Sequence, residues 1–169
     1  ILSLAQIQTV ASGDQDYAMQ FNGSSQYAVS DDTTTLGKFA NYTVEAWFNP
    51  TSKTCSSPNN RCPIVARDGD YIVMVDRGTL RWVAYHESTN NGVRDTGVVP
   101  VLNSWQHVAM VRSGTSVTIY FNGQLVDSDT ISGSTPSSSD LPLRVGYLGY
   151  SSNYFPGQID QVKLYDVAL

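Results

Sequence analysis

Short runs of alternating hydrophobic and polar residues, separated by turn residues, cover most of the chain. In the run 105–112, Trp105 and His107 fall on one face while Gln106 and Val108 fall on the other, which is the two-residue period of a β-strand. Eleven runs are predicted to be strands: 17–21, 26–30, 42–48, 63–67, 71–75, 79–86, 105–112, 117–121, 124–128, 143–146 and 157–165. Because no helical period lies between them, we predict hairpin connections and antiparallel sheets.

The residues between the runs favour tight turns. Asn122-Gly123 is the strongest of these signals, since a two-residue hairpin turn needs a positive φ at both central residues. Asp68-Gly69-Asp70 predicts a second hairpin, and the segment 22–25 (NGSS) predicts a third, between the first two strands. The predicted fold class is therefore all-β, an antiparallel two-sheet sandwich of about 11 strands.

The start of the chain has a different period. Its apolar residues recur every three positions, at Ile1, Leu4, Ile7 and Val10. This spacing suits one face of a helix better than a strand, although an unstructured linker or remnant is the alternative. We therefore divide the chain into an N-terminal segment, 1–13, which is a candidate assembly element, and a single domain, 14–169.

Composition and charge narrow the classes of partner. The 169 residues suit one domain, and only 15% are charged, against about 25% in ordinary globular proteins. The net charge is −5 and the pI is about 4.7. So acidic a domain repels phosphate backbones and anionic bilayers, which makes nucleic acid and membrane surfaces poor partners. No apolar run approaches the ~20 residues of a membrane helix.

Two cysteines, Cys55 and Cys62, flank a polar, loop-like stretch (SSPNNR). Their spacing favours a local disulfide that closes a surface loop, worth about 2–3 kcal/mol on the loop-entropy model. Two free thiols or half of a metal site are the alternatives. A disulfide indicates an oxidising compartment, so we expect an extracellular or cell-surface protein.

Taken in chain order, six segments resemble the laminin-G-like, concanavalin-A-like jelly-roll family. They are 17–23 (YAMQFNG), 27–29 (YAV), 42–50 (YTVEAWFNP), 105–111 (WQHVAMV), 119–123 (IYFNG) and 155–169 (FPGQIDQVKLYDVAL). The resemblance implies a jelly roll of two curved antiparallel sheets. It also implies a function of binding glycans, proteins or calcium, usually as one module of a larger secreted or surface protein.

The resemblance also implies a structural calcium ion near the sheet edge. Carried over residue by residue, its ligands are Asp160 on the final strand and main-chain oxygens near Asn22 and Gly23. Calcium takes six to eight oxygen ligands, many of them carbonyls, so the sequence defines such a site only loosely. The alternative is that Asp160 caps backbone donors without a metal.

The same family includes glucanases, which need two carboxylates at a defined separation. Those enzymes carry a Glu-x-Asp-x-x-Glu motif on one strand, whereas this chain has two glutamates, Glu45 and Glu87, and neither lies in such a motif. Glu45 is expected to pair with an arginine or a backbone group within the sandwich. A Ser-His-Asp triad that uses His107 would need a nucleophilic serine in a Gly-x-Ser-x-Gly motif, and the sequence has none. His107 is therefore predicted to be structural. We predict no catalytic residues and no enzyme activity.

Two loops are the predicted ligand sites. Sugars stack on flat rings, and their hydroxyl groups exchange directed hydrogen bonds with polar side chains. The loop after residue 146 is expected to expose Tyr150, Asn153 and Tyr154. The second loop, 87–97, offers Arg94 and Asp95, together with Tyr85, His86 and Asn91; an ordinary polar loop is its alternative. All three tryptophans, Trp47, Trp82 and Trp105, are predicted to lie in the core.

These observations predict a non-catalytic extracellular module that binds glycans or glycosylated surfaces through its end loops, with calcium as a possible structural ion. Its partners would be a glycan or glycoprotein, other domains of a larger surface protein, or copies of itself. One alternative is a structural subunit of an extracellular fibre or pilus that carries the jelly roll. A glucanase-type glycoside hydrolase is the second alternative, which the residues disfavour.

Overall fold

The computed structural model describes residues 17–31, 39–55, 59–86, 89–132 and 141–169. This part of the chain contains fourteen strands: β1 (Met19–Asn22), β2 (Ala28–Val29), β3 (Asn41–Pro50), β4 (Arg61–Arg67), β5 (Tyr71–Asp76), β6 (Thr79–His86), β7 (Thr89–Asp95), β8 (Gln106–Ser113), β9 (Ser116–Phe121), β10 (Gln124–Thr130), β11 (Leu143–Val145), β12 (Tyr147–Leu148), β13 (Asn153–Tyr154) and β14 (Pro156–Tyr165). The segment 1–13 lies outside the described residues, so its predicted helix or linker stays a prediction.

Two six-stranded antiparallel sheets form the sandwich. Sheet I has the order β1-β14-β3-β8-β9-β10 and sheet II the order β2-β11-β4-β5-β6-β7, while β12 and β13 form a separate hairpin. The predicted all-β, antiparallel, two-sheet architecture is confirmed. None of the described residues forms a helix that is long and apolar enough to cross a membrane.

The turn predictions have different outcomes. At Asn122-Gly123 both φ angles are positive, 49° and 77°, as the predicted hairpin between β9 and β10 requires. The predicted hairpin at Asn22 is wrong, because β1 pairs with β14 in sheet I while β2 pairs with β11 in sheet II. The Asn22 side chain instead accepts the backbone N–H groups of Ser24, Ser25 and Gln26, which shapes a crossover between the sheets.

The core lies between the inner faces of the sheets and includes one of the three tryptophans. Trp82 of β6 is 0% exposed, as predicted. Its indole Nε1 donates a hydrogen bond of 2.7 Å to Asp127 Oδ2 on β10. Because β6 belongs to sheet II and β10 to sheet I, this bond ties the two sheets together, and it satisfies a buried donor.

Charged and phenolic side chains form a second group between the sheets. Arg67 Nη1 lies 3.0 Å from Asp70 Oδ2, and both side chains are buried. The Tyr42 and Tyr71 rings, one from each sheet, meet with centroids 5.0 Å apart, and the Arg112 guanidinium lies 6.0 Å from the Tyr42 centroid. Burial raises the pKa of both phenols, since a phenolate is costly in a dry interior.

The β12–β13 hairpin covers the outer face of sheet II. It contributes Leu148 to a small hydrophobic cluster separate from the main core, made with four residues of sheet II: Ala66, Ile72, Met74 and Val83. Both faces of the central strands β4 and β5 are therefore buried, as their almost unbroken apolar sequences suggest.

The predicted disulfide between Cys55 and Cys62 is present. Its Cα atoms are 5.5 Å apart, within the normal range for a bridge. Cys62 is fully buried in the core, at the start of β4. The bridge therefore attaches the loop after β3 directly to sheet II.

Reduction of this bridge is expected to lower the free energy of unfolding by about 2–2.5 kcal/mol, because the seven-residue separation sets the loop entropy regained by the unfolded chain. Urea unfolding with and without a reductant measures the change. The Cys55→Ala/Cys62→Ala variant serves as the control and should not respond to the reductant. An equal midpoint for the oxidised and reduced wild-type chains would contradict the prediction.

Candidate functional site

The outer face of sheet I carries two tryptophans that the sequence placed in the core. Along β3, alternate residues face inward and are buried: Tyr42, Val44, Ala46 and Phe48. Trp47 therefore faces outward and is 39% exposed, and Trp105, just before β8, is 40% exposed. The core prediction is wrong for both residues. The signal that the sequence analysis missed is the polar residue on the same strand face. Glu45 shares the face of Trp47, and His107 shares that of Trp105.

Strand register brings the residues of this face into a row. Trp47 on β3 lies opposite Asp160 on β14 and opposite His107 on β8. Ala18, one residue before β1, continues the row beside Asp160, because Met19 pairs with the preceding residue of β14. Neighbouring strands lie about 4.8 Å apart, so the row spans four strands. Trp105 is diagonal to Trp47, a spacing of about 7–8 Å that large aromatic side chains can bridge.

Together these residues form a groove of about 290 Å³, lined by Ala18, Trp47, Trp105, Asp160 and Gln161. The methyl group of Ala18 leaves room where a larger side chain would fill the row. One wall is aromatic, and the other carries a carboxylate and a carboxamide. A flat apolar surface beside a few directed polar groups is typical of small-molecule sites.

A charged cluster beside the groove supports the Trp47 side chain. The Trp47 and His107 ring centroids are 5.2 Å apart, and His107 Nε2 lies 3.3 Å from Glu45 Oε2. Lys163 Nζ and the Tyr165 hydroxyl each lie 3.3 Å from Glu45 Oε1. The expectation that Glu45 pairs inside the sandwich is wrong, because the alternation along β3 turns it outward with Trp47. The predicted structural role of His107 agrees with these contacts.

Trp105 is held by a loop that a buried glutamine shapes. The Gln106 side chain is 3% exposed and exchanges two hydrogen bonds of 2.8 Å with the backbone of Val101. Its Nε2 also donates to Ser104 O at 2.9 Å. Asn103 N donates to Pro50 O at 2.8 Å, which fixes the loop to the end of β3. These bonds position the residues before Trp105 without help from a ligand.

A bulge in β14 places Gln161 at the groove. The register of β14 against β3 shifts between Asp160 and Lys163, and Gln161 has a φ of 46°, a conformation that costs a residue with a side chain about 1–3 kcal/mol. Its backbone N–H donates to Asp160 Oδ1 at 2.7 Å, which orients the carboxylate. Bulges often redirect a side chain next to a binding site.

Amide side chains extend the face alongside the groove. Asn49 Nδ2 donates to Gln158 Oε1 at 3.3 Å, and Gln20 lies opposite Gln158 in the register of β1 and β14. Asn49 lies two residues after Trp47 on the same face of β3. Gln20 Nε2 also donates to Phe21 O at 3.4 Å and to Gly157 O at 3.3 Å. A carboxamide carries both donors and an acceptor, so the groups in this row that these bonds leave open suit a ligand rich in hydroxyl groups.

The first predicted loop site is a hairpin instead, β12–β13. Tyr150 at its tip is 56% exposed, in agreement with its predicted exposure. The prediction that Asn153 is exposed is wrong, because this residue is fully buried and its Nδ2 donates to Arg61 O at 2.8 Å. Tyr154 packs against Tyr147, with centroids 4.8 Å apart. Burial, and then the neighbouring Tyr147, raise the pKa of Tyr154.

The second predicted loop site is partly the edge strand β7. Arg94 Nε lies 2.7 Å from Asp129 Oδ2 on β10, so this ion pair links the two sheets, and the Arg94 hydrogen bond lowers the pKa of Asp129. Asp95 accepts hydrogen bonds from Thr79 Oγ1 at 2.7 Å and Gly97 N at 3.0 Å. Both side chains thus have structural partners. For three predicted site residues the structure describes the backbone but not the side chain: Tyr85, His86 and Asn91.

The predicted calcium ligands are not brought together. Asn22 pairs with Pro156, four residues before Asp160 on β14, which is about 13 Å along a strand. Gly23 packs against Pro156, since a Cβ added there would lie 2.9 Å from the proline Cβ. The carried-over ligand set is therefore wrong in its geometry. Within the described ranges, no group of three or more His, Cys, Asp or Glu side chains is arranged to hold a metal ion.

A family model matches residues 10–169, that of the concanavalin A-like lectin/glucanases superfamily. The match covers both sheets and every residue of the groove. No curated protein matches the chain.

Solved structures with the same fold come from several sources. A candidate carbohydrate-binding protein from Bacteroides ovatus has a TM-score of 0.71 at 17% identity over 90% of this chain, which spans 44% of that protein. Domain 4 of an extracellular GH43 arabinanase from Geobacillus stearothermophilus, in complex with arabinotriose, has a TM-score of 0.68 at 19% identity. The match covers 93% of this chain and 74% of that domain's chain. The CBM40 domain of a Ruminococcus gnavus sialidase, bound to α2,3 sialyllactose, has a TM-score of 0.65 at 11% identity, and the match covers 92% of each chain. Such likeness establishes the fold.

Proposed function

We propose that this chain, which belongs to the concanavalin A-like lectin/glucanases superfamily, binds glycans in the groove between Trp47 and Trp105. The observation that carries the proposal is the pair of outward-facing indoles on one groove with Asp160 and Gln161. A sugar ring presents an apolar C–H face that stacks on an indole. Its hydroxyl groups would hydrogen-bond to the carboxylate and the carboxamide on the other wall.

The rigidity of the groove supports this function. Trp47 projects from the middle of β3, a strand paired on both sides, and the Gln106 hydrogen bonds hold the loop before Trp105. A site organised before binding loses less conformational entropy when the ligand arrives. Two structural neighbours are complexes with a carbohydrate, arabinotriose in one and sialyllactose in the other, which also supports a carbohydrate as the ligand class.

We propose that the module is non-catalytic. Glu45 is the carboxylate nearest in sequence to Trp47, and its oxygens already face His107, Lys163 and Tyr165. A glycoside hydrolase must instead direct two carboxylates at its substrate, and among the described residues that line the groove Asp160 is the one that carries a carboxylate. A glucanase, the alternative, would release reducing sugar from β-glucans during a long incubation, and we expect none to be released.

We also propose an extracellular or cell-surface location, as part of a larger surface protein. The Cys55–Cys62 disulfide supports an oxidising compartment. The fibre or pilus subunit remains the second candidate and depends on the apolar segment 1–13. If the full chain stays monomeric at high concentration, that candidate loses its support.

Calcium binding stays a proposal, without the ligand set carried over from the family. Any ion that binds only the folded chain raises its melting temperature. Melting in the presence of calcium and of a chelator therefore tests the proposal. Equal melting temperatures across a range of calcium concentrations would exclude a stabilising site.

Replacing Trp47 or Trp105 by alanine is expected to weaken glycan binding at least 30-fold, since a central tryptophan at an interface contributes about 2 kcal/mol or more. Isothermal titration with cello-, laminari-, galacto- and arabino-oligosaccharides measures the effect. The matched control is Leu125→Ala, a change at an exposed apolar residue of the same sheet, on the far edge strand β10. Its affinity should equal that of the wild type.

Tyr150→Ala decides between the groove and the predicted end-loop site. Tyr150 belongs to the hairpin on the outer face of sheet II, on the opposite side of the sandwich from the groove. We expect this variant to bind glycans normally. Loss of binding in Tyr150→Ala with normal binding in both tryptophan variants would move the site to the hairpin, and no binding of any glycan would overturn the proposed function.

A further inference from the structure

We infer that the groove selects uncharged glycans and discriminates against acidic ones. The inference rests on the proposed function and names the ligand class of that same site. Its starting point is the charge of the groove. Of the described residues that line it, Asp160 is charged and none is a lysine or arginine. A carboxylate on the ligand would therefore enter beside a carboxylate of the protein.

The nearest cation on this face is already paired. Lys163 follows the bulge on β14 and lies opposite Glu45 rather than Trp47. Its Nζ is 3.3 Å from Glu45 Oε1, so the lysine and the glutamate balance each other. His107, the other basic group beside Trp47, also faces Glu45. Recruiting either cation to a ligand would leave Glu45 without that partner.

The charge of Asp160 is not balanced in the same way. Its Oδ1 accepts the backbone N–H of Gln161 at 2.7 Å, which orients the group but supplies no positive charge. In the part of the chain that the structure describes, no salt bridge involves Asp160. A like charge within a few ångströms of the ligand's carboxylate disfavours its binding.

The remaining polar groups suit neutral ligands. Proteins that bind carboxylates usually present arginine, whose guanidinium donates two parallel hydrogen bonds. The groove is flanked instead by Asn49, Gln158 and Gln20, whose amides carry no charge and can exchange hydrogen bonds with sugar hydroxyls through the groups that their own protein bonds leave open. The net charge of −5 also repels acidic ligands at long range.

The test compares neutral glycans with acidic forms of the same chains. The probes are cellohexaose, laminarihexaose and β-1,4-galactohexaose, each beside the polyuronate in which every C6 hydroxymethyl group is a carboxylate. With the wild-type chain in 50 mM salt, at least one neutral hexaose should bind no less than tenfold tighter than its polyuronate. The ratio should fall at 500 mM salt, because screening shortens the reach of the charges.

The Asp160→Asn variant assigns this discrimination to one residue. Removal of a single nearby charge should reduce the neutral-to-acidic affinity ratio about fivefold. Asp166→Asn makes the same change in net charge at an exposed position after β14, outside the groove lining, and should leave the ratio as it is in the wild type.

The outcomes separate the two proposals. One outcome contradicts the inference alone: a polyuronate binds as tightly as its neutral hexaose or tighter, and Trp47→Ala still abolishes binding. The inferred preference for neutral glycans is then wrong, and the proposed glycan binding in the groove is retained. If Asp160→Asn and Asp166→Asn change the ratio equally, the groove charge is not its source and the inference fails. If no probe binds, the proposed function falls and the inference falls with it.

Discussion

Replacing Asp70 by alanine is expected to destabilise the fold by about 3–5 kcal/mol, because the change leaves the Arg67 guanidinium without its buried partner. Both side chains of this pair are at most 1% exposed, and the N–O distance is 3.0 Å. The guanidinium would then stay in the core, where Arg67 is 0% exposed, with little access to water. Urea unfolding at pH 7 measures the loss.

The double variant Arg67→Met/Asp70→Ala is the matched control. It removes both charges and keeps apolar volume in place of the arginine, so its cost should be well below that of Asp70→Ala alone. The difference isolates the penalty of removing one partner of this buried ion pair. A loss below about 1 kcal/mol for Asp70→Ala, or a double variant less stable than the single one, would contradict this account of the pair.

Replacing Trp82 by alanine is expected to destabilise the fold by about 3–5 kcal/mol, the usual cost of a large cavity in a core. Trp82→Phe keeps most of the volume but removes the indole N–H that donates to Asp127. We expect it to cost about 1–3 kcal/mol, since the half-buried carboxylate loses a hydrogen bond. Urea unfolding again gives the values.

The other two tryptophans are the controls for this prediction. Trp47 and Trp105 keep about 40% of their surface exposed, so alanine at either position should cost at most about 2 kcal/mol. The expected pattern is one tryptophan that supports stability and two that support binding. If Trp47→Ala destabilised the chain as much as Trp82→Ala, Trp47 would be a core residue after all.

Local sequence predicted the strands and the architecture, because strand alternation and turn chemistry are local properties. Asn122-Gly123 adopts the positive φ angles that its hairpin needs. The disulfide was also predictable, since its cysteines are close in the chain. What failed was pairing between distant segments. The turn at Asn22 looks like a hairpin but leads from one sheet to the other, and the separation of Asn22 from Asp160 follows from a register that no local pattern encodes.

The groove was missed for a different reason. Alternation tells which residues share a face but not whether that face points inward. The apolar character of Trp47 and Trp105 favoured the core, whereas their same-face neighbours, Glu45 and His107, favoured the surface. The structure follows the neighbours, because a buried unpaired charge costs more than a partly exposed indole. Likewise, the polar sequence of β7 suggested a loop, yet it suits an edge strand.

The most direct test of the groove is an NMR titration that follows the indole N–H resonances of the three tryptophans, assigned with single Trp→Phe variants. Addition of a glycan that binds should shift the resonances of Trp47 and Trp105. The resonance of Trp82 should stay in place, because its N–H is buried and bonded to Asp127. Saturable glycan binding that shifts neither the Trp47 nor the Trp105 resonance would contradict the account and place the site elsewhere on the sandwich.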